Sequence, residues 1–107
     1  MEPREERMAV NQTIFRAANE AIGRAGPDGT EQLELLCECG DRFCLESVEV
    51  PRDEYERVRS NPACFLLATG HETEGDRAEE ERGGYVVATK VGRAREIALQ
   101  RDPRADR

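Results

Sequence analysis

The chain predicts an α+β fold, with an N-terminal helix packed on a small antiparallel sheet and a zinc-knuckle-like hairpin at one end. Three observations carry that reading. Apolar residues recur at helical spacing through the first two dozen positions. Several short β-prone runs follow, separated by turn residues. Three thiols then crowd into Cys37-Glu38-Cys39-Gly40-Asp41-Arg42-Phe43-Cys44, with the only histidine, His71, downstream. A chain of 107 residues makes a single domain, 1–107. Hydrophobic residues are 37% and aromatic residues 5%, without tryptophan, so the core is thin and a metal is the expected staple.

From about Pro3 to Arg24, Met8, Phe15 and Ile22 recur every seventh residue, with Ile14, Ala18 and Ala21 filling the same stripe. Arg4, Glu5, Glu6, Arg7, Arg16 and Glu20 mark the expected wet side. Asn11 and Asn19 break the pattern: they are surface residues bonding to nearby backbone, or one of them anchors a neighbouring loop. Gly26-Pro27-Asp28-Gly29 stops the helix with a turn.

Glu31 to Cys39 reads as a strand that places Leu33, Leu35, Cys37 and Cys39 on one face and turns Glu34 and Glu38 the other way. A turn at Gly40-Asp41 leads to a second strand ending at Val50, which closes the hairpin. Pro51 suits the first position of a short helix reaching Ser60, with Asp53 and Glu54 at its positive end. Ala63 to Ala68 is an apolar run expected as a central strand. Residues 72–82 are almost wholly polar and are expected as a mobile acidic loop. Tyr85 to Val91 is the clearest strand, and Ala94, Ile97 and Ala98 mark a last short helix. Residues 1–7 and 100–107 are expected to fray.

Charge and composition narrow the partners. Charged residues make up 36% of the chain and the formal net charge is −7. That balance disfavours nucleic-acid phosphates, which need a basic face. No apolar run approaches the ~20 residues of a membrane span. The first residues carry neither the cationic start nor the apolar core of a signal peptide, so the expected address is the cytoplasm. Thiols stay reduced there, which favours metal ligation over a disulfide.

Zinc takes four ligands at tetrahedral corners, and thiolates with one imidazole suit it. The residues themselves supply Cys37, Cys39 and Cys44, and leave the fourth place between His71 and Cys64. His71 follows a glycine in a turn, whereas Cys64 sits in an apolar run where a free cysteine packs as a small hydrophobe. The enzymatic alternatives fit less well. A zinc deaminase needs H-x-E ahead of P-C-x-x-C. A thiol nucleophile needs its own histidine, and the redox pair C-x-x-C is absent. A mixed thiolate–imidazole iron–sulfur site is a closer competitor, although its last cysteine and histidine normally lie near each other.

Several segments resemble a family of small, acidic, uncharacterised bacterial proteins of actinobacterial type. They are Phe15-Arg16-Ala17-Ala18-Asn19-Glu20, Cys37-Glu38-Cys39-Gly40-Asp41 with Cys44, Tyr55-Glu56-Arg57-Val58-Arg59, Gly70-His71-Glu72, Lys90-Val91-Gly92 and Asp102-Pro103-Arg104. The resemblance spans most of the chain and implies Cys37, Cys39, Cys44 and His71 as the metal set. It implies no activity. The expected function is therefore a cytoplasmic binding, adaptor or regulatory module with one structural zinc ion per chain and a protein partner. A thiol-based redox or metal sensor is the alternative, and a zinc hydrolase is less favoured.

Overall fold

The expected α+β architecture is present, with its strands divided between two antiparallel sheets. The structure, a computed structural model, describes residues 3–25, 32–73 and 75–104. The turn expected at Gly26-Pro27-Asp28-Gly29 lies outside the described residues, as do 1–2 and 105–107 of the ends expected to fray. In chain order the elements are α1 (Pro3–Ala25), β1 (Gln32–Leu36), β2 (Ser47–Pro51), α2 (Arg52–Arg59), β3 (Cys64–Ala68), β4 (Asp76–Glu81), β5 (Tyr85–Lys90) and α3 (Gly92–Gln100).

The β1–β2 hairpin pairs Leu33 with Val50 and Leu35 with Val48, so alternate residues of both strands turn inward. The second sheet has the order β3-β5-β4. Its β3 and β5 are buried on both faces, which explains the apolar runs Cys64–Ala68 and Tyr85–Ala88, while Thr89 and Lys90 are polar residues buried at the end of β5. One core spans the two sheets and α2: Leu33, Leu35, Val48 and Val50 meet Tyr55, Val58, Leu66, Leu67, Tyr85 and Val87. A smaller contact of Ala9, Ala94 and Ile97 joins α1 to α3.

Outside α1, four expectations change. The stretch 72–82 is not a plain loop, because Asp76–Glu81 pairs with β5 through an irregular register between Ala78 and Glu80. That pairing carries Asp76 into the interior, where its carboxylate meets Lys90. The expected central strand, β3, is an edge strand, and β5 takes the centre. Pro51 ends β2 and caps α2 rather than opening the helix. The segment 100–104 is tied down: Asp102 accepts from Arg59, and Arg104 reaches Glu20 at 3.0 Å and Glu56 at 2.7 Å.

The largest departure lies in α1. Its buried face is Ala9, Gln12, Thr13, Arg16, Asn19 and Glu20, while Ile14 is 55% exposed. The helix does follow the 3.6-residue period, but its inward stripe is polar. Arg16, expected on the wet side, is 0% exposed; it stacks on Phe65 and donates to the carbonyl of Ala98 at 2.8 Å. Glu20, also expected outside, accepts from Arg59 Nε at 2.8 Å. Each buried charge has partners, as an interior of low dielectric requires.

This network has a measurable weight. Arg59→Ala leaves Glu20 and Asp102 short of a cation and should cost about 3–5 kcal/mol in a urea titration. Burial opposes ionisation of Glu20, but hydrogen bonds from Arg104 and Arg59 win and hold its carboxyl down from 4.5 to about 2. A depressed carboxylate contributes stability that is complete above its unfolded value and is lost as pH falls through its folded one. Wild-type protein should therefore lose more stability than Glu20→Gln as pH drops from 4.5 to about 2. Parallel losses in the two proteins would remove Glu20 as the source.

Candidate metal centre

The cysteine segment is built where β1 leaves its ladder. Past Leu36 the backbone has no continuous strand partner, so its polar groups need others. Helix α1 supplies most of them. Asn19 binds Leu36 twice, accepting from its amide at 2.8 Å and donating to its carbonyl at 2.9 Å. Gln12 donates to the carbonyl of Cys39 at 3.2 Å, and Asn11 to that of Gly40 at 3.3 Å. The amide of Cys37 reaches the Glu46 carbonyl at 3.1 Å, and that of Glu38 the Leu66 carbonyl at 2.9 Å. Both asparagines thus anchor the loop, the sharper of the two sequence readings.

Gly40 turns the chain with φ +85°, pressed against α1. A Cβ there would stand 2.7 Å from both the Met8 carbonyl oxygen and Gln12 Cγ. Only glycine meets both demands. Asp41 then closes the loop, its side chain accepting from the Phe43 amide and its carbonyl from the Cys44 amide, each at 2.9 Å. On the other side, β3 leads into a turn at Gly70, again left-handed at φ +87°. The turn is closed by the His71 amide, which donates to the Ala68 carbonyl at 3.0 Å.

These two turns bring together four residues that could hold a metal ion: Cys37, Cys39, Cys44 and His71, one donor atom from each, all within 4.8 Å of one another. His71 Nδ1 lies 3.5 Å from Cys37 Sγ and 3.6 Å from Cys44 Sγ. Cys37 and Cys39 are buried, and Cys44 is half-buried. Cys64 is not in the group: it is buried between the sheets' side chains, its Sγ 3.6 Å from Thr89 Oγ1. Without a cation the site favours protons on sulfur. Burial, with Cys39 and Cys44 nearby, pushes the Cys37 thiol up to about 12, against a hydrogen bond from the Ala68 amide. Burial also raises Cys39. A bound dication would reverse that preference by stabilising the thiolates.

Glu38, between two of the cysteines, was expected to face outward and instead is 1% exposed. Its carboxyl accepts from the Leu66 amide at 2.9 Å and from Asn19 Nδ2 at 2.7 Å. Burial holds this carboxyl above the usual range. The Ala68 amide donates to Cys37 Sγ at 3.1 Å. The outer edge of β3 is therefore bonded to side chains of the cysteine segment, as though to a fourth strand. Sequence reasoning missed Gln12, Arg16 and Glu38 as parts of this assembly. The available signal was the helical spacing of Gln12, Arg16, Asn19 and Glu20, a polar stripe as regular as an apolar one.

Comparison with protein-family models, with curated proteins and with solved structures finds no match to this chain.

Gly40 and Gly70 separate the two demands on the turns, because their φ angles are nearly equal and nothing lies within 4 Å of a Cβ at Gly70. Gly70→Ala should lose the cost of left-handed backbone, on the order of 1–3 kcal/mol. Gly40→Ala should lose a further ~1–3 kcal/mol from overpacking against α1. Equal losses in thermal melts would mean that the close approach of Gly40 to Met8 and Gln12 contributes nothing.

Proposed function

We propose that the protein is a small cytoplasmic binding or adaptor module whose fold is closed by one structural zinc ion held by Cys37, Cys39, Cys44 and His71. The observation that carries this reading is the spacing of the donor atoms. Zinc bonds of about 2.3 Å to sulfur and 2.0–2.1 Å to nitrogen, at tetrahedral angles, separate S from N by about 3.6 Å. His71 Nδ1 stands 3.5 and 3.6 Å from two of the sulfurs. Three soft thiolates and one imidazole also match the ion's preference.

The origin of the ligands supports a structural role. Three follow β1 and one follows β3, so an ion held by them would join the hairpin to the second sheet. Four protein ligands leave no place for the activated water of zinc hydrolysis, and thiolate donation lowers the ion's Lewis acidity. Among the described residues, no helix is long and apolar enough to cross a membrane.

The half-burial of Cys44 favours one second reading, a thiol sensor. Peroxide would take two electrons from two of the thiolates, form a disulfide and free the zinc. Zinc release at stoichiometric peroxide, reversed by dithiol reductant, would favour the sensor over the static staple.

Protein purified without chelator should carry about one zinc per chain by elemental analysis. Cys64→Ser should keep it, and His71→Ala should lose most of it on dialysis. The cobalt-substituted protein should show a tetrahedral thiolate spectrum that added cyanide leaves unchanged. Iron with visible charge-transfer bands, or zinc lost from Cys64→Ser and kept by His71→Ala, would sink this ligand set. A spectrum shifted by cyanide would reveal an open position and move the hydrolase ahead.

A further inference from the structure

We propose that the loop between Cys39 and Ser47, with the first turns of α1, is a docking site for an acidic protein segment that carries an apolar anchor residue. The proposal rests on the reading of the protein as a binding module and names its surface and the chemistry of its partner.

Two side chains mark the place. Phe43 is 75% exposed and Leu45 is 96% exposed, on a chain whose apolar residues are otherwise scarce and mostly covered. Large apolar side chains left exposed two residues apart in one loop are a common sign of a binding surface. The loop that presents them is not slack. Gly40 is wedged against α1, Asn11 and Gln12 hold its backbone, and Asp41 accepts from the amides of Phe43 and Cys44. An ion held by Cys39, Cys44 and His71 would tie it down further. A surface ordered in advance loses little entropy when a partner arrives.

Phe43 lines an open groove of about 890 Å³ that it shares with Arg4, Arg7, Met8, Val10 and Arg42. Among the described residues that line it, three arginines stand against Glu6 and Asp41, in a protein of formal net charge −7. The two carboxylates are already engaged: Glu6 pairs with Arg93 at 3.3 Å, and Asp41 accepts from the Phe43 amide. Arg4, Arg7 and Arg42 make no ion pair within the described residues, and Arg42 lies over the Phe43 ring at 4.8 Å. Met8, Val10 and Phe43 supply the groove's apolar lining. A segment with one apolar side chain against that lining and carboxylates beside the arginines would satisfy each of these groups. Guanidinium groups suit carboxylates through paired hydrogen bonds. A second copy of the chain fits less well, since two bodies of net charge −7 repel.

The test is selection of random dodecapeptides, displayed on phage, against the zinc-loaded protein. Peptides that also bind Phe43→Ala/Leu45→Ala are discarded. Sequences with an apolar residue flanked by Asp or Glu should be enriched. A synthetic copy of the leading sequence should bind at least tenfold more weakly to Phe43→Ala and to Arg7→Glu, and more weakly as salt rises. Its amide-shift perturbations should cluster at Phe43, Leu45 and Arg7. Enrichment of basic or charge-indifferent peptides overturns the proposal, as does no enrichment or undiminished binding to Phe43→Ala. Concentration-dependent dimerisation abolished by Phe43→Ala would assign the surface to a second copy instead. Zinc content and circular dichroism of each variant keep the two readings apart. Zinc-loaded, folded protein that selects nothing ends the docking proposal alone, whereas folded protein that never takes up zinc ends the metal reading.

Discussion

Everything near the candidate centre depends on how the backbone from Leu36 to Gly40 is satisfied. These residues run between the two sheets without a continuous strand beside them. Buried amides and carbonyls left unpaired would each cost about 1–3 kcal/mol. Asn11, Gln12 and Asn19 answer three of the carbonyls and one amide, all from the same face of α1. Strand β3 and Glu46 answer the amides of Glu38 and Cys37. The position of the sulfurs thus follows from a helix that none of them belongs to.

That dependence explains why the inward face of α1 is polar. A helix packed on side chains buries hydrocarbon, whereas one packed on irregular backbone must offer donors and acceptors. Arg16 extends the same logic by reaching the carbonyls of Pro62 and Ala98, which end loops and helices without partners of their own. Beyond it, Glu20 gathers Arg59 and Arg104 and so fastens α2 and the chain end to α1. Buried ion pairs of this kind bring little net stability, because desolvation offsets the attraction. They are selective, however, since any other docking of α1 would strand a charge.

Much of the architecture was legible in the sequence. The strands β1, β2, β3 and β5, the three helices and the apolar partners Tyr55 and Val58 follow from period and turn residues. The gathering of Cys37, Cys39 and Cys44 was legible because thiols are rare and their chemistry is narrow, whereas the residues alone left the fourth place between His71 and Cys64, and it is His71 that lies within reach of the three sulfurs. What escaped was everything that hydropathy scores with the wrong sign. Gln12, Arg16, Glu20 and Glu38 look solvated one at a time, and their burial is set by partners far along the chain. Strand β4 escaped for a related reason. Its Asp-Arg-Ala-Glu-Glu-Glu run has no β-prone side chains, and it is held by pairing to β5 together with the contact of Asp76 with Lys90.

The carboxylate of Glu38 also decides where the second sheet stops. Strand β3 is the most apolar segment of the protein and lies at a sheet edge, the arrangement most prone to recruit a strand from another molecule. The opposite edge, β4, is guarded by repelling charge and a broken register. On β3 there is no charge of its own to do this. The amides of Leu66 and Ala68 are instead taken by an oxygen of Glu38 and the sulfur of Cys37. Two side chains thus imitate the hydrogen bonds of a neighbouring strand without offering a free edge in turn. Solubility at this edge is therefore tied to the integrity of the cysteine segment: when that segment loosens, Cys64–Ala68 becomes a bare template for intermolecular β-pairing.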